Sequence, residues 1–168
     1  MKFRMLLFAF AVGLFIFLPN AVAQEAVHYY TSDIAKYSVV FPAEFKNLDG
    51  EKKLYATKSN GMTFFAYHAE LENKDLVKEN ENNTLLILLY TGVQNDLGGK
   101  VESQESVTVN GYTGKRGVFK VGELYGNFYV FLNADSGYSY NLVVLEQENE
   151  GTFNPELAND FIKSFKIL

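Results

Sequence analysis

Between Tyr112 and Glu146 the chain sets aromatic and β-branched residues in three runs, Tyr112 to Val121, Leu124 to Ala134 and Tyr138 to Glu146. Asn110-Gly111, Gly122-Glu123 and Asp135-Ser136-Gly137 precede them as turn signals, so the stretch predicts an antiparallel meander. Asn110-Gly111 is the strongest hairpin signal, because a type I′ turn needs positive φ at two successive positions and both residues tolerate it. In the second run Phe128, Val130 and Leu132 fall on one face and Tyr129 and Phe131 on the other. Strands apolar on both faces need cover above and below.

The same reading along the rest of the chain predicts strands at Lys36 to Phe41, stopped by Pro42, and around Leu54-Tyr55-Ala56-Thr57. Ala43 to Lys46 reads as a single helical turn, and Asp49-Gly50 and Ser59-Asn60-Gly61 as turns. Met62 to Leu71 is a longer aromatic strand. Its face Thr63, Phe65, Tyr67, Ala69, Leu71 is the more consistently apolar, so that face is expected inside. Glu72 to Asn83 is polar and acidic and reads as a surface loop or a frayed turn.

From Thr84 the period changes. Leu85, Leu88, Leu89, Val93 and Leu97 recur at three and four, Asn83 or Thr84 can cap, and Gly98-Gly99 can terminate, which predicts the main helix. A buried strand over Leu85 to Thr91 is the alternative. Lys100 to Val109 carries a polar face, Glu102, Gln104 and Ser106, suited to an edge. After Gln147 to Thr152, Asn154-Pro155-Glu156 supplies a cap, a first-turn proline and an acid, and Leu157, Phe161, Ile162 and Phe165 form one apolar stripe of a closing helix. The order β-β-β-α-β-β-β-β-α implies an α+β fold: an α/β/α sandwich around a central, mostly antiparallel sheet of about six to seven strands.

Residues 1–23 read as a cleavable secretory signal peptide. Lys2 and Arg4 precede an uninterrupted apolar run from Met5 to Leu18, Pro19-Asn20 breaks it, and Ala21-Val22-Ala23 suits a signal peptidase. The run is shorter than the roughly 20 residues a spanning helix needs. The remaining domain, 24–168, is expected to be exported to the periplasm or the extracellular space and to hold no stable place in the membrane. Loss of Lys2 and Arg4 leaves thirteen basic residues against twenty acids, a net charge of −7. With no basic run, a nucleic-acid partner is not expected. The absence of cysteine excludes disulfides and thiolate metal sites.

The strand Tyr37 to Pro42 ending in Phe-Pro resembles the PsbP-like family of exported α/β sandwiches. So do the helix between the third and fourth strands, the segment Val109-Asn110-Gly111-Tyr112-x-Gly114-Lys115-Arg116, and the close Phe161-Ile162-Lys163-Ser164-Phe165-Lys166. The resemblance spans nearly all of the chain after the leader. It implies the fold shared by photosystem II extrinsic proteins and a Ran-binding import factor, and a non-catalytic adaptor or binding role toward a protein partner or small ligand.

The chemistry legible in the residues is sparse. There are two histidines, His28 and His68, and neither accompanies a Gly-x-Ser-x-Gly elbow. His68 and Glu70 lie two apart on one strand face and could offer two metal ligands, which is the alternative reading as a hydrolase or metal-dependent enzyme. No third ligand is identifiable, and no cofactor is implied. Asn133 to Gly137 begins like a calcium loop, yet Val144 occupies the position of its bidentate acid. Gly111 to Gly114 precedes a strand, not a helix N-terminus that would receive phosphate. Two binding candidates remain. Arg116, beside Lys115, is the one arginine after the leader, suited either to an internal carboxylate pair or to capture of a partner's anion. Tyr129, Tyr138 and Tyr140 belong to a chain that is 15% aromatic and could line a binding surface or pack the core.

Overall fold

The computed structural model describes residues 27–48, 54–147 and 154–168. The leader, the Asp49-Gly50 turn and the loop at 148–152 lie outside them. Among the described residues there are ten strands: β1 (His28–Ser32), β2 (Tyr37–Phe41), β3 (Lys46–Asn47), β4 (Leu54–Ser59), β5 (Met62–Glu70), β6 (Lys100–Val109), β7 (Tyr112–Val121), β8 (Leu124–Asn133), β9 (Tyr138–Gln147) and β10 (Lys166–Ile167). Three helices accompany them: α1 (Lys74–Glu79), α2 (Glu81–Thr91), which continues as a π-helical turn over Gly92–Asp96, and α3 (Pro155–Lys163).

Seven strands form one antiparallel sheet in the order β3-β4-β5-β9-β8-β7-β6, and β1-β2-β10 form a second, smaller one. The helical excursion after β5 explains the order. It carries the chain across the large sheet to its far edge, from which the β6-to-β9 meander returns until β9 pairs with β5 at the centre. Asn110 and Gly111 both have positive φ, 49° and 86°, as the two-residue turn between β6 and β7 requires.

The two faces of the large sheet bury against different covers. Phe128, Val130, Leu132 and Val143 pack with Leu85, Leu89 and Val93 of the α2 segment. Phe64, Phe131, Tyr140 and Leu142 pack with Tyr37, Val39 and Phe41 of the small sheet and with Phe161 and Phe165 near the C-terminus. The split of β8 into two apolar faces is therefore the one its alternation predicts, and the fold is the expected α+β sandwich. One of its outer layers is the small sheet with α3, not helix alone.

Several local expectations are corrected. Residues 43–46 form a bend leading into β3, not a helical turn. The polar stretch at 72–83 holds α1 and the start of α2, with Thr84 N–H bonding Asn80 O at 2.9 Å. The main helix thus begins at Glu81, before the expected caps Asn83 and Thr84, and no side chain caps it. In β5 the face Met62, Phe64, Ala66, His68 is buried, whereas Thr63, Phe65 and Tyr67 are only half-buried beneath the helices. His68 is buried among aromatic rings, so that face is dry although it carries a polar residue. β1 is a strand without a counterpart among the sequence-predicted ones: it pairs with β2 and buries Tyr30 and Ser32.

Candidate functional site

A cleft of about 420 Å³ opens between α3 and the free edge of the large sheet, lined by Arg116, Tyr129, Val107, Glu105, Ile162 and Lys163 among others. Its walls are fixed by local rules. Asn154 caps α3, its Oδ1 accepting the N–H groups of Glu156 and Leu157 at 3.1 Å each, and Pro155 opens the first turn. At the other end of α3, Asn110 Nδ2 donates to Lys163 O at 2.8 Å and to Phe165 O at 2.7 Å. Tyr112 adds a bond to Ile167 O at 3.1 Å. The β6–β7 turn therefore clamps the helix that closes the cleft.

Arg116 is held on its floor. Nε and Nη2 both donate to Asn127 Oδ1, at 2.9 and 2.7 Å, and Nη1 donates to Glu105 Oε1 at 2.6 Å. The guanidinium carbon stands 5.9 Å from the centroid of the Tyr129 ring, within cation–π range. Glu105, across β6 in register with Arg116, has a side chain 57% exposed, so this ion pair is a surface one of small net value. Burial pushes the Tyr129 phenol above its ordinary range, while the Arg116 charge pulls it back and Glu105 adds to the rise. What results is an oriented guanidinium on an aromatic wall, one of whose donors reaches a carboxylate open to solvent. That arrangement suits recognition of a carboxylate or another planar anion.

The other candidates lie elsewhere. Lys115 points to the opposite face, as strand alternation requires, where it is buried and bonds Ser106 Oγ at 2.8 Å. Tyr140 is fully buried; its hydroxyl donates to Ala35 O at 3.0 Å and lies 3.2 Å from Ser136 Oγ. It is a core residue without a surface to offer. Tyr138 is half-buried at the other end of the sheet, edge-on to His68 with centroids 5.6 Å apart. His68 itself is buried between Tyr138 and Tyr37, whose ring is 5.7 Å away, and Glu70 is exposed at the strand end. Among the described residues no group of three His, Asp or Glu side chains comes together, so His68 and Glu70 gain no third ligand. The sequence presents Arg116 and Tyr129 as separate features, and only the register of β7 with β8 sets them side by side. Sequence reading missed Asn127, whose signal was an amide within the otherwise aromatic face Tyr125, Tyr129, Phe131. It also missed the second duty of Asn110.

No protein-family model matches the sequence, and no curated protein matches it. Solved structures do. The cyanobacterial PsbP (CyanoP) from Synechocystis sp. PCC 6803 is similar over 89% of this chain and 97% of its own, at 12% identity and a TM-score of 0.62. A Bacteroides thetaiotaomicron protein is matched over 84% of this chain and 48% of its own, at 11% identity and a TM-score of 0.47. The Saccharomyces cerevisiae Ran-binding protein Mog1p is matched over 84% and 95%, at 8% identity and a TM-score of 0.46. The likeness to CyanoP establishes a PsbP-like fold for this chain. Among the described residues no helix is long and apolar enough to cross a membrane.

Proposed function

We propose that this protein is an exported, non-catalytic binding or adaptor protein that recognises a carboxylate-bearing protein partner or small ligand through the cleft around Arg116 and Tyr129. The observation that carries this reading is the state of the guanidinium. Two of its nitrogens are anchored by the neutral Asn127 amide, and the third meets a carboxylate exposed enough to swing away. An incoming carboxylate takes the place of Glu105 without leaving Arg116 unpaired at any stage. Export is supported by the leader read in residues 1–23. A PsbP-like scaffold is compatible with the role but transfers no activity by itself.

The test is comparative capture. The immobilised protein, its Arg116→Lys variant and a distant control, Lys46→Gln, are exposed to an envelope extract. Lysine keeps the charge but not the planar fork, so wild type and control are expected to retain the same bound species and Arg116→Lys to lose it with its circular dichroism unchanged. Equal retention by Arg116→Lys removes the cleft from the account.

A further inference from the structure

A second, smaller chamber of about 250 Å³ lies on the opposite side of the large sheet, beneath the π-helical turn, and Tyr67, Leu88, Gly92, Asp96, Ser139 and Asn141 line it. Its origin is a patch of small side chains. Tyr67 pairs in register with Asn141, and Ala69 with Ser139, so a two-by-two tile of the sheet offers an alanine and a serine where its surroundings offer large apolar residues. Gly92 seats the turn directly on the Phe128 ring, where an added Cβ would stand 2.5 Å from Cζ. The helix therefore approaches the sheet closely at Phe128 and leaves a gap over the small tile. Departures from α-helical winding of this kind recur at functional sites.

Asn141 is only 4% exposed, and its side chain makes no hydrogen bond among the described residues. Its polar atoms are not among the buried ones that lack a partner, so the amide is open to the chamber and can bond an occupant there. Tyr67 Oη donates to Asp96 Oδ2 at 3.2 Å, and burial together with the Asp96 charge pushes the phenol far above its ordinary value, so it stays a neutral hydroxyl. Neither α2 nor its π-helical extension has a basic residue in its last turn, so the negative end of the helix dipole carries no counter-charge from its own segment. No lysine or arginine lines the chamber among the described residues. The Asp96 carboxylate, the end of the helix and the Asn141 amide thus share one chamber.

We infer that this chamber binds the ammonium group of a small primary amine, with Asp96 as its counter-ion, the Asn141 side-chain oxygen as an acceptor and Leu88 against its alkyl chain. The volume corresponds to roughly eight waters at ~30 Å³ each, which limits the occupant to the size of a short alkylamine or an amino-acid side chain. The site shares no residue with the Arg116 cleft, and the fate of either leaves the other untouched.

Titrating the isotope-labelled protein with n-butylammonium chloride, and in parallel with n-butanol, reads this directly by NMR. Saturable shifts are expected at the Asn141 side-chain amide and the backbone amides of Tyr67 and Gly92, with the ammonium binding about tenfold or more tighter than the alcohol, as a charge-assisted bond supplies. Asp96→Asn, at an exposed position, is expected to keep the fold and bring the two probes to equal affinity. Asn141→Leu is expected to fill the chamber and abolish both. Equal affinities in the wild type, shifts scattered over other surface carboxylates, undiminished ammonium binding by Asp96→Asn, or no saturable shift at all overturns the site and leaves Asn141 with water only. Should Asn141→Leu fail to fold, the Asp96→Asn titration decides alone.

Discussion

At the scale of single residues, Asn110 shows how one side chain can satisfy two unrelated demands. Its backbone takes a positive φ that asparagine tolerates, which closes the β6–β7 hairpin, and its amide donates to two carbonyls at the end of α3. Glycine would serve the first demand as well or better but not the second. Asn110→Gly is therefore expected to preserve the hairpin yet cost about 2 kcal/mol, on the order of 1 for each lost bond. Asn110→Asp is expected to be worse, since it turns a carboxylate toward two carbonyl oxygens. Urea midpoints at constant slope measure both, and an unchanged midpoint for Asn110→Gly would show the bonds to be worth nothing. The hairpin half of this was legible, because turn geometry is local. The clamp was not: Lys163 and Phe165 are more than fifty positions away, and no pattern around Asn110 points to them. The same limit explains Arg116. Its isolation in sequence marked it, but the aromatic wall and the Asn127 anchor exist only because strand register brings β7 beside β8.

At the scale of elements, periodicity served well wherever an element had one dry face, and poorly wherever it had two or none. Helix α3 was legible for the first reason, and β8, dry on both faces, only because turn signals bound its strict alternation at either end. Helix α2 is apolar on its outer side as well, with Ile87 61% and Tyr90 41% exposed, so its inward face could not be chosen from composition. Helix α1 offers only Leu76 and Val77 as apolar positions in six residues, too few to show a stripe, although Val77 is buried. Gly92 sets propensity against packing. Alanine is the better helix former by up to ~1 kcal/mol, so propensity alone would make Gly92→Ala stabilising. The Cβ would stand 2.5 Å from Phe128 Cζ, and overpacking of that kind costs about 1–3 kcal/mol. Gly92→Ala is accordingly expected to lower the thermal midpoint, and pairing it with Phe128→Leu to recover part of the loss. A rise in the midpoint for the single variant would mean that the π-helical turn relaxes freely, and that its shape is not fixed by the sheet beneath it.

At the scale of the whole molecule, what holds the two sheets together is a set of rings contributed from the far ends of the chain. Phe165, fully buried, stacks on Phe131 with centroids 4.9 Å apart and 22° between planes, and it also meets Tyr37, Tyr112 and Tyr140. Through them β2, β7, β8 and β9 are bridged by one side chain, two residues after α3 ends. Ser164 Oγ, accepting from Val40 N–H at 2.8 Å, and Leu168 N–H, donating to Lys36 O at 2.7 Å, fasten the same segment to the small sheet. Without cysteine, no covalent link shares this task. A Phe→Ala truncation in a packed core costs about 3–5 kcal/mol, against the roughly 5–15 that a domain of this kind has in total. Phe165→Ala is therefore expected to unfold the protein or to shift its urea midpoint more than any other substitution discussed here. Phe45→Ala supplies the contrast: Phe45 also meets both sheets, at Tyr30 and Phe41 of the small one and Tyr55 of the large one, but it is only partly buried at the margin of the cluster. Equal effects for the two variants would mean that the aromatic cluster acts as diffuse hydrophobic filler. A much larger effect at Phe165 would place the joint between the layers at the C-terminus, the same segment that forms one wall of the Arg116 cleft.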